Sequence, residues 1–193
     1  MSRTALFIID IQHDLATDPA TRIPHAARLL DAADRVIASS RRQLDTLRAA
    51  SPPQSASRPL LVFVQHSEDP SSGPLVEGSE AWRLVFNPRE GDEDEVLVGK
   101  RTGDAFLSNP VLAERLRAEG VGKIVALGIQ SDFCVRATCK GALAAGFEVT
   151  VLRGAHSTYD VSGKTAEEVE REVEAELETA GARVVPWEEI VVE

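Results

Sequence analysis

The stretch Val125-Ala126-Leu127-Gly128-Ile129-Gln130-Ser131-Asp132-Phe133-Cys134-Val135 joins a strand, a turn and the start of a helix. Its apolar first half is typical of a strand that is buried on both faces. A helical pattern begins at Cys134, which places a thiol at a strand-to-helix turn. There the helix dipole lowers the pKa of a thiol, and free backbone N–H groups point at whatever the sulfur attacks. The stretch therefore predicts a nucleophile.

Strand-like and helix-like segments alternate along the whole chain. Apolar runs rich in β-branched residues predict strands at 5–9, 60–64, 96–98, 123–129, 147–152 and 183–185. Apolar residues at helical spacing, with caps and breakers at their ends, predict helices at 24–50, 109–119, 134–145 and 165–180. The alternation indicates an α/β fold with a mostly parallel sheet, and a breaker-rich surface loop is expected at 51–59.

Composition and charge indicate a soluble globular protein with one domain over residues 1–193. A net charge of −10 argues against nucleic acid or an anionic membrane surface as a partner. No apolar run approaches the length of a membrane span, and the first residues lack the layout of a signal peptide. The two cysteines, Cys134 and Cys139, are poorly placed for a disulfide on one helix. We therefore expect a cytoplasmic protein.

Polar residues end the predicted strands at the sheet edge where such folds bind ligands. Asp10 ends the first strand, His66 the second and Lys100 the third, and the fourth strand leads into Cys134. A carboxylate beside a thiol can take its proton, and a lysine near both favours the thiolate. Each residue alone would suit a loop, a surface or a core, so the prediction depends on their coming together.

Four segments together resemble the isochorismatase-like cysteine hydrolase superfamily, and they lie in the same order as in that superfamily. They are Leu6-Phe-Ile-Ile-Asp-Ile-Gln-His-Asp14, Gly73-Pro-Leu-Val-Glu-Gly-Ser-Glu-Ala-Trp82, Gly99-Lys-Arg-Thr-Gly-Asp-Ala-Phe106 and Gly128-Ile-Gln-Ser-Asp-Phe-Cys-Val-Arg-Ala-Thr138. The resemblance implies a three-layer α/β/α Rossmann-like fold, whose six-stranded sheet has the order 3-2-1-4-5-6. It also implies a homo-oligomer, a dimer or larger.

The resemblance also implies the parts of an active site. Asp10, Lys100 and Cys134 would form the catalytic triad, and a cis peptide bond would join Ile129 to Gln130. The backbone N–H groups of Gln130 and Cys134 would bind the oxyanion. These parts imply a cysteine hydrolase that cleaves a small amide or carbamoyl C–N bond through a thioester. The alternatives are a vinyl-ether hydrolase of the isochorismatase type, a nicotinamidase, and a member that binds a ligand without turnover.

The remaining site predictions concern the pocket. We expect substrate contacts from Gln12, His66, Trp82, Phe106 and Phe133, where Gln12 would act through a hydrogen bond beside the triad. The three aromatic residues would equally suit packing in the core, and His66 would equally suit a structural hydrogen bond. The long segment 67–94 would serve as a lid or as a subunit contact.

No metal ion and no other cofactor is expected. The nicotinamidase branch carries a metal at an Asp-x-His pair with further histidines, whereas this chain reads Gln65-His66-Ser67-Glu68-Asp69. His13 and His156 occupy positions with no fixed role in the family, and Cys139 is expected to pack in its helix.

Overall fold

The computed structural model describes residues 2–50 and 58–190 of the chain. Its strands are β1 Arg3–Ile9, β2 Leu60–His66, β3 Glu95–Lys100, β4 Val121–Ile129, β5 Glu148–Ser157 and β6 Arg183–Pro186. Its α-helices are α1 His13–Ala16, α2 Ala26–Ala49, α3 Ala105–Ser108, α4 Leu112–Ala118, α5 Arg136–Ala144 and α6 Ala166–Thr179. A π-helical turn covers Ser131–Val135, and a 3₁₀ helix covers Trp187–Ile190.

The strands form one parallel sheet with the order β3-β2-β1-β4-β5-β6. This order confirms the predicted fold. Successive strands are added on one side of β1 up to β3 and on its other side from β4 onwards, so the switch point lies between β1 and β4, where Ile9 pairs with Gly128. Ligands of open α/β sheets bind outside the carboxyl ends of the strands at such a point.

Two apolar cores cover the two faces of the sheet. Ala5, Phe7 and Ile9 of β1 belong to the core that includes α4, α5 and α6, while Leu6 and Ile8 belong to the core that includes α2. Because side chains alternate across a strand, a strand buried on both faces is apolar at every position. This explains the continuous apolar run at the start of the chain.

The structure extends the predicted fifth strand and changes the start of one helix. β5 continues to Ser157, past the predicted end at 152. The polar side chains of His156 and Ser157 are buried and hydrogen-bonded within the domain, so they do not end the strand. The helix expected from Cys134 begins at Arg136, because the preceding turn Ser131–Val135 is π-helical. This turn is named the nucleophile turn after the predicted role of Cys134. The short helices α1 and α3 were not predicted.

Residues 67–94 form no helix and no strand apart from an isolated bridge between Gln12 and Leu84. Leu75 and Leu84 are nevertheless buried, so the segment packs onto the domain. Whether it serves as a lid or a subunit contact stays a prediction. Most of the loop predicted at 51–59 lies outside the described residues. Of the helices that the structure describes, none combines the length and apolar character that crossing a membrane requires.

Candidate active site

Three strand ends bring Asp10, Lys100 and Cys134 together beside the switch point. Asp10 follows β1, Lys100 is the last residue of β3, and Cys134 lies in the turn after β4. All three are at least nine-tenths buried, although two are charged side chains. Because a buried charge is costly unless it is paired, their proximity requires direct contacts among them.

Lys100 provides those contacts through its ammonium group. Its Nζ lies 2.7 Å from Asp10 Oδ2 and 3.2 Å from Cys134 Sγ. It also donates to the backbone carbonyl of Thr102 at 3.0 Å and lies 3.2 Å from His66 Nδ1. Burial acts to lower the pKa of Lys100, but the charges and hydrogen bonds of Asp10 and Cys134 together outweigh burial, so the pKa is raised above its usual value. Lys100 is therefore a cation at neutral pH.

Asp10 has the features of a proton acceptor. Its backbone is in the left-handed region, with φ of 49°, which is uncommon for residues other than glycine and clusters at functional sites. Its Oδ2 lies 2.7 Å from Lys100 Nζ, and its carboxylate is also a hydrogen-bond partner of the Cys134 thiol. A carboxylate in contact with a thiol can accept the proton of that thiol.

Cys134 is a thiol at rest, which corrects the expectation of a lowered pKa. Burial raises the pKa of its sulfur, the charge of Asp10 raises it further, and the contact with Lys100 offsets only part of this. The sequence placed the sulfur at a helix start but did not show that it is 6% exposed. Deprotonation must therefore accompany attack on the substrate, with a base in contact with the sulfur.

His66 is a neutral imidazole beside Lys100. Burial lowers its pKa first and the positive charge of Lys100 lowers it further. Its Nδ1 faces the ammonium, so this nitrogen is the acceptor and Nε2 carries the proton. Nε2 lies 3.8 Å from Glu68 Oε1. His66 thus presents an N–H group next to a carboxylate.

The nucleophile turn closes on the carbonyl of Gln130. That oxygen accepts hydrogen bonds from the N–H groups of Phe133 at 3.2 Å and Val135 at 3.0 Å. A cis peptide bond joins Ile129 to Gln130, as the family resemblance implies. The residues expected to bind an oxyanion, Gln130 and Cys134, therefore lie at the start of this turn and near its end.

Two adjoining cavities lie next to the triad. One of about 490 Å³ is lined by Trp82, Lys100 and Leu97, among others, and one of about 270 Å³ by His66, Glu68 and others. They share Ser67, Arg101 and Thr102 as lining residues. The smaller volume can hold a small amide.

Three predicted pocket residues, His66, Trp82 and Phe133, line these cavities. Trp82 is held by a hydrogen bond from its Nε1 to Ser67 Oγ at 2.9 Å. Phe133 is 56% exposed and borders the smaller cavity. A large exposed apolar ring in the same turn as a buried thiol is available for contact with a ligand. Direct substrate contact by these residues stays a prediction.

Two other pocket predictions are corrected. Gln12 is fully buried, and its amide bonds the backbone of His66 at 3.0 Å in both directions and the carbonyl of Trp82 at 2.7 Å. It holds the loops behind the site and does not line the cavities. Phe106 packs in the core between Phe7 and Phe147, with ring centroids 6.0 and 5.9 Å away. Sequence alone could not separate a core aromatic from a pocket aromatic.

The donor set near the triad does not suit a structural or catalytic metal ion. His66 and Glu68 adjoin, but no group of three His, Cys, Asp or Glu side chains in the described part of the chain could hold a metal ion. His66 also directs its Nδ1 to Lys100 and would have to bind through Nε2 alone. Zinc sites in proteins normally use three or four such ligands.

Sequence reasoning missed two groups that touch the site. The first is the Thr102 carbonyl, which no side-chain motif could reveal. The second is His156, whose Nδ1 lies 2.8 Å from Ser131 Oγ inside the nucleophile turn. The only signal for His156 in the sequence is a histidine among small and polar residues after the predicted fifth strand at 147–152.

A model of the isochorismatase domain family matches residues 4–189 of the chain. A streptothricin hydrolase of Streptomyces noursei is 31% identical over 160 residues, which cover 82% of this chain and 59% of that protein. The chain thus spans less than two thirds of that relative. A probable inactive nicotinamidase of Arabidopsis thaliana is 28% identical over 156 residues, 79% of each chain.

The fold has a counterpart among solved structures. N-carbamoylsarcosine amidase from Thermoplasma acidophilum superposes with a TM-score of 0.73 at 20% identity, covering 96% of each chain. At this level of identity the likeness concerns the fold.

Proposed function

The chain belongs to the isochorismatase family, and on that premise we propose that it is a cysteine hydrolase that cleaves a small amide or carbamoyl C–N bond without a metal ion. The observation that carries the proposal is the buried Lys100 ammonium, which contacts both Asp10 at 2.7 Å and Cys134 at 3.2 Å. The site buries a carboxylate, a cation and a thiol together beside a cavity. Apolar residues would fill the same space with a lower desolvation cost, so this combination suits nucleophilic catalysis better than it suits stability.

Acylation begins with the thiol of Cys134. Asp10 takes its proton as the sulfur forms a bond to the carbonyl carbon and the carbonyl π electrons move to oxygen. The N–H groups of Gln130 and Cys134 bind the resulting oxyanion. Asp10 then gives the proton to the nitrogen, the C–N bond breaks, and an amine leaves a thioester on Cys134.

Deacylation uses the same groups in reverse order. Asp10 takes a proton from water as the water oxygen attacks the thioester carbon. The C–S bond then breaks, the proton returns to Cys134, and the acid is released. Lys100 remains a cation throughout and stabilises whichever neighbour, Asp10 or Cys134, carries the negative charge. No oxidant, reductant or metal is required in this sequence.

The pocket suggests which amides to assay. Glu68 lies in the smaller cavity, and its Oε2 accepts the N–H of Leu75 at 3.1 Å. Within the described residues, the basic side chain nearest the Glu68 carboxylate is His66 at 3.8 Å, and that imidazole is neutral. The carboxylate could therefore attract a cationic substrate. A panel should therefore pair cationic, neutral and anionic amides of equal size, together with nicotinamide, a carbamoyl amine and isochorismate.

The proposal is tested by amine or ammonia release from this panel with wild type and Cys134→Ala. We expect Cys134→Ala to abolish release, while Cys139→Ala, a cysteine that is fully buried in the core, keeps wild-type kcat in the folded protein. An amide that the Cys134→Ala variant cleaves at full rate contradicts the covalent route. Isochorismate turnover that survives this substitution supports the vinyl-ether alternative instead.

Absence of turnover on every substrate would favour the ligand-binding alternative. In that case, calorimetric measurement of the binding of the same compounds decides whether the pocket takes a ligand. The homo-oligomer and the cytoplasmic location remain predictions. Sedimentation of the purified protein tests the first of them.

A further inference from the structure

A second polar cluster lies behind the nucleophile turn, on the side away from Lys100. Ser131 and His156 are both fully buried, and their Oγ and Nδ1 atoms lie 2.8 Å apart. His156 Nε2 lies 3.3 Å from Glu174 Oε1, and Glu174 Oε2 accepts from Arg153 Nε at 2.8 Å. The contacts thus run from the surface to the turn through one imidazole.

β5 places this cluster next to the turn. Its extension past 152 pairs His156 with Gly128 and Ser157 with Ile129, the last residues of β4. The imidazole therefore lies beside the backbone from which the turn starts. Thr158, two residues on, donates to Asp132 of the same turn at 2.6 Å. β5 and the residue that follows it thus support the turn through two side-chain hydrogen bonds.

Glu174 lies at the far end of the cluster. Burial acts to raise the pKa of Glu174, but its contacts with His156 and Arg153 together outweigh burial, so the pKa is lowered and the carboxylate is charged. A carboxylate only accepts, so the His156 nitrogen that faces it carries a proton. The other nitrogen lies within hydrogen-bond distance of the Ser131 hydroxyl, so the imidazole links the carboxylate to the turn.

We propose that His156 is a positioning residue that orients the oxyanion-binding turn through the Ser131 hydroxyl. Ser131 follows Gln130 directly, and both N–H groups assigned to the oxyanion lie within four residues of it. A buried polar cluster costs desolvation that apolar side chains would avoid. The cluster compensates by orienting the turn, because a hydrogen bond holds the Ser131 hydroxyl in one direction, whereas packing alone would allow the turn more than one conformation. This inference rests on the proposed cysteine-hydrolase function.

The test separates oxyanion binding from thiol reactivity and needs no natural substrate. Acetaldehyde adds to Cys134 as a hemithioacetal: a C–S bond forms, and the thiol proton passes to the carbonyl oxygen. That oxygen occupies the oxyanion position. Iodoacetamide alkylates the same sulfur by displacing iodide and uses no oxyanion site. The first reaction is followed by NMR of [1-¹³C]acetaldehyde and the second by mass spectrometry.

We expect His156→Leu and Ser131→Ala to weaken acetaldehyde affinity by about 10- to 100-fold. This effect is smaller than the effect of removing an oxyanion donor itself. Alkylation should stay within about threefold of wild type, because the sulfur and Asp10 are untouched. His156→Asn keeps an acceptor near the Nδ1 position and should restore part of the affinity. Ser131→Ala removes one oxygen, so it remains informative if His156→Leu does not fold.

Ser157→Ala is the matched control. Ser157 is as buried as His156 and belongs to the same strand, but its hydroxyl donates to Glu170 at 2.6 Å and not to the turn. It should leave both reactions unchanged. Wild-type acetaldehyde affinity in His156→Leu and Ser131→Ala, or an equal fall in both reactions, overturns the positioning role alone. A wild-type enzyme that forms no hemithioacetal at Cys134 overturns the proposed function, and this inference with it.

Discussion

At the scale of single residues, the site depends on how Lys100 distributes its protons. An ammonium group has three N–H bonds, and four acceptors lie within reach of Nζ: Asp10 Oδ2, the Thr102 carbonyl, Cys134 Sγ and His66 Nδ1. The carboxylate and the carbonyl are the strongest acceptors of a resting site. The thiol and the imidazole therefore compete for the third N–H, until the sulfur becomes charged and takes it.

Asp10→Asn separates the two effects of this carboxylate on Cys134. The negative charge of Asp10 raises the pKa of the thiol, so its removal should lower that pKa while Lys100 stays in place. We expect iodoacetamide to alkylate the variant at least about tenfold faster at pH 7 than wild type. Amide hydrolysis should nevertheless fall by about 10²- to 10⁴-fold, because the general base is lost.

The pH dependence gives the control for this experiment. A raised pKa keeps wild-type Cys134 protonated at neutral pH, so its alkylation rate should climb steadily from pH 7 to 9 without a plateau. The alkylation rate of Asp10→Asn should rise at a lower pH than the rate of wild type. A wild-type plateau below pH 7, or slower alkylation in Asp10→Asn, would show that the resting sulfur is already a thiolate.

At the scale of elements, the close approach of β1 and β4 determines where the nucleophile turn begins. Gly128 has φ of +136°, and a Cβ added there would lie 2.0 Å from the carbonyl oxygen of Ile9. No side chain fits between the two strands at this point. Glycine therefore allows β4 to approach β1 directly before Ile129, which forms the cis peptide bond with Gln130, and lets Asp10 and the turn lie side by side.

Gly128→Ala should destabilise the protein by about 2–3 kcal/mol, because both the backbone conformation and the contact with Ile9 oppose a Cβ. Urea unfolding followed by circular dichroism measures the loss. Gly99→Ala in β3 is the control, since a Cβ there meets no atom within 4 Å. Its stability should stay within about 0.5 kcal/mol of wild type. Equal stability of both variants would contradict the close approach.

In the molecule as a whole, ion pairs join the carboxyl end of α2 to the amino end of β1 and to the residues that precede β3, on the side away from the active site. Arg48 at the end of α2 pairs with Asp92 and with Asp94, which also pairs with Arg3 of β1. The side chains of Asp92 and Asp94 are 8% and 3% exposed. These contacts hold the end of the long segment 67–94 against the rest of the domain.

Acid should weaken these contacts in a defined range. Hydrogen bonds from Arg48 lower the pKa of Asp92 from 3.8 to about 2. A lowered pKa contributes stability that is complete above about pH 4 and is lost as pH falls towards 2. Asp92→Asn should cost roughly 1.5–3 kcal/mol of unfolding free energy at pH 7, and this difference should shrink towards pH 2.

Thermal and urea unfolding of both proteins between pH 2 and pH 7 measure that difference. Glu93→Gln is the neighbouring control, because the Glu93 side chain is 77% exposed and its pair with Arg58 is open to solvent. Its effect should stay within about 0.5 kcal/mol. A cost of Asp92→Asn that is constant over the whole range would rule out Asp92 as the titrating group.

The order of strands and helices could be predicted from the amino-acid sequence, because burial on both faces of a sheet requires continuous apolar runs such as residues 5–9. The sequence also placed Asp10, Lys100 and Cys134 at strand ends, and the family resemblance supplied the strand order that joins them. These features are local, or depend on a shared motif. They needed no knowledge of which distant side chains touch.

The protonation state and the surroundings of those residues depend on contacts that form when the chain folds. Burial next to Asp10 makes Cys134 a thiol, although its place in the sequence favoured a thiolate. Phe106 lies in the core and Gln12 behind the pocket, while His156 reaches the nucleophile turn. Protonation and accessibility depend on groups far apart in the chain, and their distances are set when the sheet assembles.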